Sequence, residues 1–308
     1  YQQMMTISRR RQFGILSAHG KTFHADFEKL DAIPKRGKRV VYQGVEGAYA
    51  HLAARQCFGT ETALRHVKTW KDAMDEVVEG EADYAVLPIE NSSHGAVSDI
   101  FDLLVRYPAL AIVEEVDLHV AHALMSVAGA SMDGLKRIYS HPQALGQCAA
   151  FLEAHPDIEA VPVLNTAVAA AYVRDHQDPS IAALASELSA ELYGLTILER
   201  SVNQEKSNTT RFIVLGRERV YTADAEKISI CFETAHKPGA LYNALGNFIF
   251  NDVNMLMIQS RPIPEKPFEY RFFIDLEGNL SMPNVINALA GLEDQITSLR
   301  ILGNYGKE

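Results

Sequence analysis

Five short segments of the sequence carry polar side chains or glycines that could bind a small polar molecule. Each begins where a predicted strand ends or, for the last segment, where a strand begins. The segments are Gly-Val-Glu-Gly-Ala at 44–48, Glu-Asn-Ser-Ser at 90–93, Ser-His-Pro-Gln-Ala at 140–144, Asn-Thr-Ala at 165–167 and Asn-Thr-Thr-Arg-Phe at 208–212. Ligands of open α/β sheets bind outside the carboxyl ends of the strands. Together the five segments predict one cleft that binds a small, carboxylated molecule.

Three of the segments, taken alone, also have a simpler structural explanation. Gly44 and Gly47 suit a tight turn before a helix, and they do not form the GxGxxG motif of dinucleotide-binding folds. Asn91, Ser92 and Ser93 could serve merely as helix caps, and His141 could be a turn histidine that precedes a proline. Arg211, by contrast, offers a planar guanidinium that can hold a carboxylate through two hydrogen bonds.

Composition excludes several other classes of protein. The 308 residues include 29 basic and 39 acidic side chains, and the net charge of −10 argues against a general nucleic-acid binder. No apolar run reaches the roughly 20 residues of a membrane span, and the first residues lack a secretory signal pattern. The three cysteines are far apart, so they encode neither a disulfide framework nor a zinc site. We therefore expect a reduced, cytoplasmic protein without a metal, a nucleic-acid partner or a membrane partner.

The elements that must position the five segments follow an α/β pattern from residue 40 to residue 216. Strands are predicted at 40–43, 85–89, 111–116, 122–127, 137–139, 161–164 and 211–215, and helices at 48–58, 70–79, 95–105, 144–154, 166–175 and 187–193. Short strands that alternate with short helices predict parallel βαβ layers. The length of the region indicates two similar lobes with a cleft between them.

The chain on either side of this region follows different patterns. The polar segment 216–226 predicts a domain boundary, and the residues after it predict the order strand, helix, strand, strand, helix, strand. That order is the ferredoxin-like plan. Residues 1–38 predict the end of an amphipathic helix followed by a basic linker, although a disordered tail would explain them equally well.

In their order along the chain, the five segments resemble the motifs of prephenate dehydratases. The motifs are Gly-Val-Glu-Gly-Ala-Tyr at 44–49, Pro-Ile-Glu-Asn-Ser-Ser at 88–93, Ser-His-Pro-Gln-Ala at 140–144, Asn-Thr-Ala at 165–167 and Thr-Arg-Phe at 210–212. Pro-Gly-Ala-Leu at 238–241 and Ser-Arg-Pro at 260–262 are similar to the phenylalanine-sensing motifs of ACT domains. The resemblance runs from about residue 40 to the end of the chain.

The resemblance implies a fold, a reaction and a set of site residues. The fold is a bilobal α/β dehydratase domain of the type 2 periplasmic-binding class at 39–218, followed by an α+β ACT domain at 226–308. The reaction is the cofactor-free decarboxylation and dehydration of prephenate to phenylpyruvate in phenylalanine biosynthesis, with feedback inhibition by phenylalanine. Thr210 matches the family's catalytic threonine. The implied substrate-binding residues are Gly47, Ala48, Glu90, Asn91, Ser92, Ser140, His141, Gln143, Asn165, Thr166, Arg211 and Phe212. The implied effector-binding residues are Gly239, Ala240, Leu241, Ser260, Arg261 and Pro262.

Two positions depart from the family pattern, and two other functions stay open. Ala50 stands where a serine is usual, so one expected hydroxyl of the glycine-rich loop is missing. Gln259 replaces the glutamate before Ser-Arg-Pro, so the strength of phenylalanine inhibition is open. One alternative function is a cyclohexadienyl dehydratase that also accepts arogenate. The other is a non-catalytic small-molecule-binding module of the same fold.

The resemblance also bears on assembly and on the N-terminus. ACT domains generally pair, and the apolar strand predicted at 253–258 needs cover on both faces. We therefore expect a homodimer or a homotetramer. The residues before Pro34 resemble the last helix of the chorismate mutase that precedes this enzyme in bifunctional proteins, which would make the natural protein longer.

Overall fold

The structure is a computed structural model that describes residues 23–264 and 266–308, together with Ser8 and Arg11. The helix predicted near the N-terminus, with its resemblance to a chorismate mutase, lies outside the described residues. The chain forms two compact units. The central unit comprises Arg36–Val97 and Val116–Phe212, and the C-terminal unit comprises the described part of Tyr1–Lys35 with Ser98–Glu115 and Ile213–Glu308.

Short strands and helices alternate along most of the described chain. In chain order the strands are β1 (Glu28–Leu30), β2 (Arg39–Gln43), β3 (Ala63–Val67), β4 (Tyr84–Asn91), β5 (Gly95–Ala96), β6 (Ala111–His119), β7 (Ala123–Ser126), β8 (Arg137–Ser140), β9 (Glu159–Pro162), β10 (Ile181–Ala185), β11 (Thr196–Glu199), β12 (Thr209–Gly216), β13 (Val220–Thr222), β14 (Lys227–Glu233), β15 (Met255–Pro262), β16 (Tyr270–Glu277) and β17 (Ser298–Tyr305). The helices are α1 (Tyr49–Phe58), α2 (Trp70–Glu79), α3 (Ser98–Arg106), α4 (Pro142–Gln147), α5 (Ala149–Ala154), α6 (Thr166–His176), α7 (Glu187–Tyr193), α8 (Ala240–Phe250) and α9 (Pro283–Glu293). Among the described residues, no helix combines the length and apolarity that crossing a membrane requires.

The central unit contains two sheets, as the prediction of two lobes requires. In the first sheet β2 lies between β3 and β4, and all three strands are parallel. The second sheet has the order β11-β7-β10-β8-β9. In it β8 is parallel to β9 and β10, but β7 is antiparallel to β10 and β11. The expectation of purely parallel layers is therefore wrong for the second sheet, which is mixed.

Small side chains allow the helices of the second sheet to pack closely. Ala169 and Ala170 of α6 are fully buried against Ala183 of β10. With so little side-chain volume at the contact, the helix axis can approach the sheet closely, which holds the first turn of α6 firmly at the strand ends. The sheet therefore positions the residues that begin this helix.

The C-terminal unit has the βαββαβ order that the sequence predicts. Its strands lie in the order β15-β16-β14-β17 with antiparallel neighbours. Helices α8 and α9 cover one face through a core that includes Phe232, Phe248, Ile274 and Leu289. This topology confirms the ferredoxin-like plan.

The other face of this sheet contacts α3 of the same chain. The rings of Phe101 and Phe273 lie 4.9 Å apart in an edge-to-face arrangement. Arg300 of β17 donates hydrogen bonds of 2.7–3.1 Å to three carbonyls at the end of α3 and after it, those of Leu104, Tyr107 and Leu110. Residues 98–110 therefore cover part of this face from within the same chain.

Three further predictions differ from the structure at the edges of this unit. The strand predicted at 253–258 as continuously apolar is β15, whose side chains alternate between half-buried and exposed. Residues 23–30, predicted as linker, pack Phe23 and Phe27 against the C-terminal core and form β1. Strand β1 pairs in parallel with β13, which lies inside the predicted boundary segment. Both strands have only three residues, too few for a hydrophobic period to mark them.

Candidate active site

A cavity of about 240 Å³ in the central unit brings the five predicted segments together. From these segments it is lined by Gly44, Ala48, Asn91, His141, Gln143, Ala144, Asn165, Thr166, Thr210 and Phe212. Its other lining residues are Gln43, Tyr49, Ala50, Pro88, Val120, His122 and Gln147. Strands β2, β4 and β8 all end at or beside this cavity, so the rule for α/β sheets locates it correctly.

A larger groove of about 750 Å³ lies elsewhere in the same unit, beside Arg55, Glu187 and Arg200. None of the five segments lines it, and its Arg200 already forms an ion pair with Glu187. We therefore place the candidate site in the smaller cavity, where polar groups from several strand ends converge.

The hydroxyl of Thr210 is oriented by the side-chain amide of Asn91. The Asn91 Oδ1 atom accepts hydrogen bonds from the backbone N–H groups of Ser93 and His94, at 3.0 and 3.1 Å. The Asn91 Nδ2 atom therefore faces β12, where it donates to Thr210 Oγ1 at 2.9 Å and to Asn208 Oδ1 at 2.8 Å. Because the Thr210 oxygen already accepts this bond, its own hydrogen is available to a group in the cavity.

Two helices begin at the cavity wall. Ala48 and Tyr49 are the cap and first residue of α1, and Asn165 and Thr166 are those of α6. The Asn165 Oδ1 atom accepts from the Val168 N–H at 2.8 Å, which leaves its Nδ2 atom as a donor. Unpaired N–H groups and the positive end of the helix dipole favour an anion at such a place.

The described lining of the cavity is polar without carrying a formal charge. In the part of the chain that the structure describes, no acidic, lysine or arginine side chain lines it. Burial lowers the pKa of His141 below its ordinary value, so this imidazole is neutral at neutral pH. Its Nδ1 atom accepts from the Gln143 N–H at 3.2 Å, so its proton resides on Nε2. The cavity therefore offers neutral hydrogen-bonding groups rather than charges.

Three lining residues that were not among the predicted site residues form a hydrogen-bonded chain. The His122 Nδ1 atom lies 2.8 Å from the Tyr49 hydroxyl oxygen, and its Nε2 atom lies 2.8 Å from Gln147 Oε1. His122 is only 2% exposed, and burial lowers its pKa from the ordinary value. In the sequence His122 looks like one of several scattered histidines. The signal that could have found it is its position directly before a buried strand, beside the cleft.

The glycine loop is held by hydroxyl groups at and in helix α7 of the second sheet. Ser186 and Ser189 donate to the Gly47 carbonyl at 2.7 and 3.0 Å, and Tyr193 donates to the Glu46 carbonyl at 2.8 Å. Gly47 has φ +83°, and a Cβ atom there would lie 2.7 Å from Ser189 Oγ. Gly47 thus packs against α7 and does not itself line the cavity.

Four other predicted substrate-binding residues do not line the cavity either. Arg211 forms an ion pair with Glu90 at 2.8 Å. The fully buried Ser140 donates to the Leu184 carbonyl at 2.6 Å, and Ser92 accepts from the Thr209 N–H at 3.0 Å. These residues hold the strands and loops that carry the lining residues, and the carboxylate that the Arg211 guanidinium contacts is that of Glu90.

The predicted effector residues lie at two places in the C-terminal unit. Gly239 caps α8 with φ +76°, and the next two residues, Ala240 and Leu241, line a pocket of about 460 Å³. Ser260 lies opposite Phe272 of the same pocket, although Ser260, Arg261 and Pro262 do not line it. The structure therefore brings only part of the predicted set together within one chain.

Sequence comparisons identify relatives over most of the chain. The prephenate dehydratase family profile matches residues 40–220. The bifunctional chorismate mutase/prephenate dehydratase of Escherichia coli (strain K12) is 35% identical over 293 residues, which cover 91% of this chain and 74% of the relative. The chloroplastic arogenate dehydratase/prephenate dehydratase 2 of Arabidopsis thaliana is 38% identical over 278 residues, with coverage of 87% and 71%.

Solved structures agree with these matches. Prephenate dehydratase from Arthrobacter aurescens in complex with L-Phe is 30% identical, with a TM-score of 0.80 over 87% of this chain and 89% of that one. GqqA, described as a novel type of quorum quenching acylase, is 32% identical, with a TM-score of 0.81 over 88% and 98%. The profile match covers more than half of the chain and includes every lining residue of the cavity. The chain belongs to the prephenate dehydratase family.

Proposed function

We propose that the protein is a prephenate dehydratase and that the cavity is where prephenate becomes phenylpyruvate. The observation that carries this proposal is the Thr210 hydroxyl, which accepts from Asn91 and keeps its own hydrogen for a ligand. It lies in a cavity that offers neutral donors to an anion. Thr210 is the proposed catalytic residue.

The chemistry of the reaction explains why such a hydroxyl is needed. The bond from the ring to the departing carboxylate breaks, its electron pair enters the ring, and the carbon–oxygen bond of the ring hydroxyl breaks. Carbon dioxide and the aromatic phenylpyruvate form. Departure of the hydroxyl group is slow unless a proton or a strong hydrogen bond reaches its oxygen. Thr210 supplies the hydrogen, the leaving oxygen departs as water, and solvent restores the proton to Thr210.

Neutral donors suit a substrate that must lose a carboxylate. A fixed cation beside the departing carboxylate would stabilise the ground state more than the transition state, because the charge leaves that group during the reaction. Helix N-termini and amides bind the dianion with less localised attraction. We infer that the first turns of α1 and α6, with Asn165 and His141, hold the carboxylates.

The direct test is to mix the purified chain with prephenate and follow phenylpyruvate. Catalytic formation of phenylpyruvate that depends on Thr210 supports the proposal. Binding of prephenate without turnover would instead indicate the non-catalytic module.

Because the chain is similar to GqqA, acyl transfer is an alternative reaction to consider. The geometry of the site does not favour it. A threonine nucleophile needs a neighbouring base to accept its proton. Within the described residues, the hydrogen-bond partner of Thr210 Oγ1 is the amide donor Asn91, which cannot act as that base. Hydrolysis of an N-acylated amine at a rate comparable to prephenate turnover would contradict this assignment.

We further propose that residues 39–218 form the dehydratase domain and residues 226–308 a phenylalanine-binding ACT domain. The relative from Arthrobacter aurescens was solved with L-Phe, which supports the effector. The edge strand β15 and helix α8 expose the apolar side chains Tyr242, Leu256 and Ile258, by 74%, 48% and 50%. We propose that a second copy covers them in a homodimer or homotetramer, which a monomer in light scattering would contradict. Three buried cysteines suit a reducing compartment, so we place the protein in the cytoplasm.

A further inference from the structure

The most informative unassigned group in the molecule is His122, because each of its ring nitrogens contacts a residue of the cavity wall. Both distances, to the Tyr49 hydroxyl and to Gln147 Oε1, are 2.8 Å. Its backbone is fixed as well, since the His122 N–H donates to Asn203 Oδ1 at 3.0 Å and its carbonyl accepts from the Val202 N–H at 2.9 Å. The ring therefore has little freedom to reorient.

The partners of His122 decide which of its nitrogens carries the proton. A neutral imidazole has one N–H group, and an amide oxygen can only accept a hydrogen bond. The proton therefore resides on Nε2 and points to Gln147 Oε1, while Nδ1 accepts the hydrogen of the Tyr49 hydroxyl. The Ala121 carbonyl, 2.9 Å from the Tyr49 oxygen, is the acceptor that this hydroxyl would use if the tautomer were reversed.

The direction of the hydrogen bonds from Tyr49 through His122 to Gln147 fixes which group Gln147 offers to a ligand. Because its oxygen accepts from His122, its amide NH₂ group is the part left for the cavity. If both hydrogen bonds were reversed, the Gln147 amide would turn and present its oxygen to the cavity instead. The direction of two hydrogen bonds behind the wall thus determines whether Gln147 is a donor or an acceptor at the site.

Three other polar lining groups have the same direction, whereas Gln43 donates through Nε2 to the Lys68 carbonyl at 3.2 Å and keeps its oxygen as an acceptor. Thr210 accepts from Asn91, the Asn165 oxygen accepts from Val168, and Nδ1 of His141 accepts from Gln143. In each case an internal hydrogen bond occupies an acceptor atom and leaves a donor for the ligand. Donors at these positions pair with carbonyl and carboxylate oxygens. An ammonium group, which can only donate, finds no acceptor at these positions.

We propose that the Tyr49–His122–Gln147 chain keeps Gln147 as a hydrogen-bond donor, and that this makes the protein act on the keto acid prephenate in preference to its amino counterpart arogenate. This inference rests on the proposed dehydratase function and adds a specificity determinant to it. His122 and Tyr49 are positioning residues, since they act through Gln147. If an amino group replaces the keto group, the ammonium donor faces the buried amide donor of Gln147 and neither has an acceptor. Sites built to hydrogen-bond a substrate group strongly reject such an analogue.

The test measures kcat/KM for both substrates, through phenylpyruvate from prephenate and phenylalanine from arogenate. We expect the unmodified chain to prefer prephenate by about 10- to 100-fold, the range that one unpaired buried donor gives. Gln147→Glu keeps the shape of the side chain but replaces the donor with an acceptor. It should move the ratio of the two kcat/KM values towards arogenate by about tenfold or more.

Substitutions of Tyr49 and His122, which act through Gln147, distinguish a positioning role from a structural defect. Tyr49→Phe removes the donor to Nδ1 with little change in shape, and we expect it to lower the prephenate-to-arogenate ratio about threefold or more. His122→Asn should lower the ratio further, whereas His119→Asn, an exposed histidine three residues earlier, should leave both substrates unaffected. A structural defect would reduce both kcat/KM values equally and leave their ratio unchanged.

The outcomes distinguish this inference from the function on which it rests. A chain that converts both substrates equally, or prefers arogenate, overturns the specificity proposal and leaves the dehydratase proposal standing. An unchanged ratio in both Gln147→Glu and Tyr49→Phe also overturns it. A chain that converts neither substrate overturns both proposals.

Discussion

The guanidinium of Arg261 donates two hydrogen bonds to the carboxylate of Asp102, one of 3.0 Å from Nε and one of 2.5 Å from Nη2. Arg261 belongs to the Ser-Arg-Pro motif of strand β15, and Asp102 lies on helix α3. Helix α3 is inside the segment that matches the dehydratase profile. A residue predicted to sense the effector is therefore bound to a helix of the dehydratase segment.

We expect Asp102→Asn to weaken inhibition by phenylalanine while uninhibited turnover stays within about twofold. The neutral amide cannot hold the guanidinium in the same two-bond geometry, so Arg261 loses its fixed position. The measurement is the phenylalanine concentration that halves the rate. Both side chains are partly exposed, so the free energy of unfolding should fall by less than about 1 kcal/mol.

Asp99→Asn is the matched control, because it removes the same charge from the same helix without a hydrogen bond to Arg261. Inhibition should respond to Asp102→Asn and not to Asp99→Asn. An equal change in inhibition for both variants would show that the negative charge of helix α3, and not the hydrogen bonds to Arg261, determines the effect.

Thr210→Ala should lower kcat by about 100-fold or more while the fold is retained, since removal of one well-placed donor has effects of this size. Thr210→Ser keeps the hydroxyl and should have a milder effect. The readouts are phenylpyruvate formation and circular dichroism. A near-normal rate in the alanine variant would contradict the assignment of Thr210 as the catalytic residue.

The positions of these groups show what can be predicted from the sequence. The five polar segments are recognisable because strand ends in α/β folds converge, and each contributes at least one residue to the same cavity. Helix α2 has the predicted bounds, since its apolar period is clear and Thr69 and Asp72 form a capping box at its start. Local pattern and topology are enough for features of this kind.

Features that depend on long-range contacts are not predictable in this way. Arg211 looks like a carboxylate clamp in the sequence, but its partner Glu90 lies 121 residues away on the neighbouring strand. His122 and Gln147 are 25 residues apart and are brought together only by the tertiary fold, and no spacing along the chain marks them. The cover that α3 gives to the C-terminal sheet is of the same kind.

Gly47→Ala should destabilise the protein by about 1–3 kcal/mol, because it adds backbone strain and a contact with Ser189. Gly59→Ala is a suitable control, since Gly59 also has positive φ, of +80°, but a Cβ there meets nothing within 4 Å. Denaturant unfolding should show a larger loss for Gly47→Ala. Equal losses would mean that the contact with α7 contributes nothing.

The stability of the protein should fall as the pH drops below about 6.5, partly because of His122. Burial lowers the folded-state pKa of His122 below the ordinary value of 6.5. The unfolded chain therefore takes up this proton first as the pH falls, and the free energy of unfolding decreases until the folded pKa is reached. His122→Asn should show a shallower decrease in denaturant midpoint between about pH 7 and about pH 5. Parallel curves would contradict a buried neutral imidazole.

Gly239→Val should abolish phenylalanine inhibition while turnover without phenylalanine stays largely intact. A Cβ at Gly239 would meet only Asn243 Nδ2, at 4.0 Å, so the branched side chain extends into open space that an effector would use. Gly129→Val introduces a similar positive-φ strain in the central unit and should leave inhibition unchanged. Full inhibition of the Gly239→Val variant by phenylalanine would show that the loop at Gly239 is not part of the effector site.

The close approach of Gly303 to Ile112 limits how the chain can be divided. A Cβ at Gly303 would clash with the Ile112 carbonyl oxygen, so the backbones of β17 and β6 are in direct contact there. Truncation after residue 218 would leave Ile112 and helix α3 without Gly303, Phe273 and the three hydrogen bonds of Arg300. The dehydratase segment would then expose a bare apolar surface and aggregate. The sequence can be divided after residue 218, but the folded protein cannot. A gene fusion or truncation therefore has to keep the dehydratase segment and the residues after it in one chain.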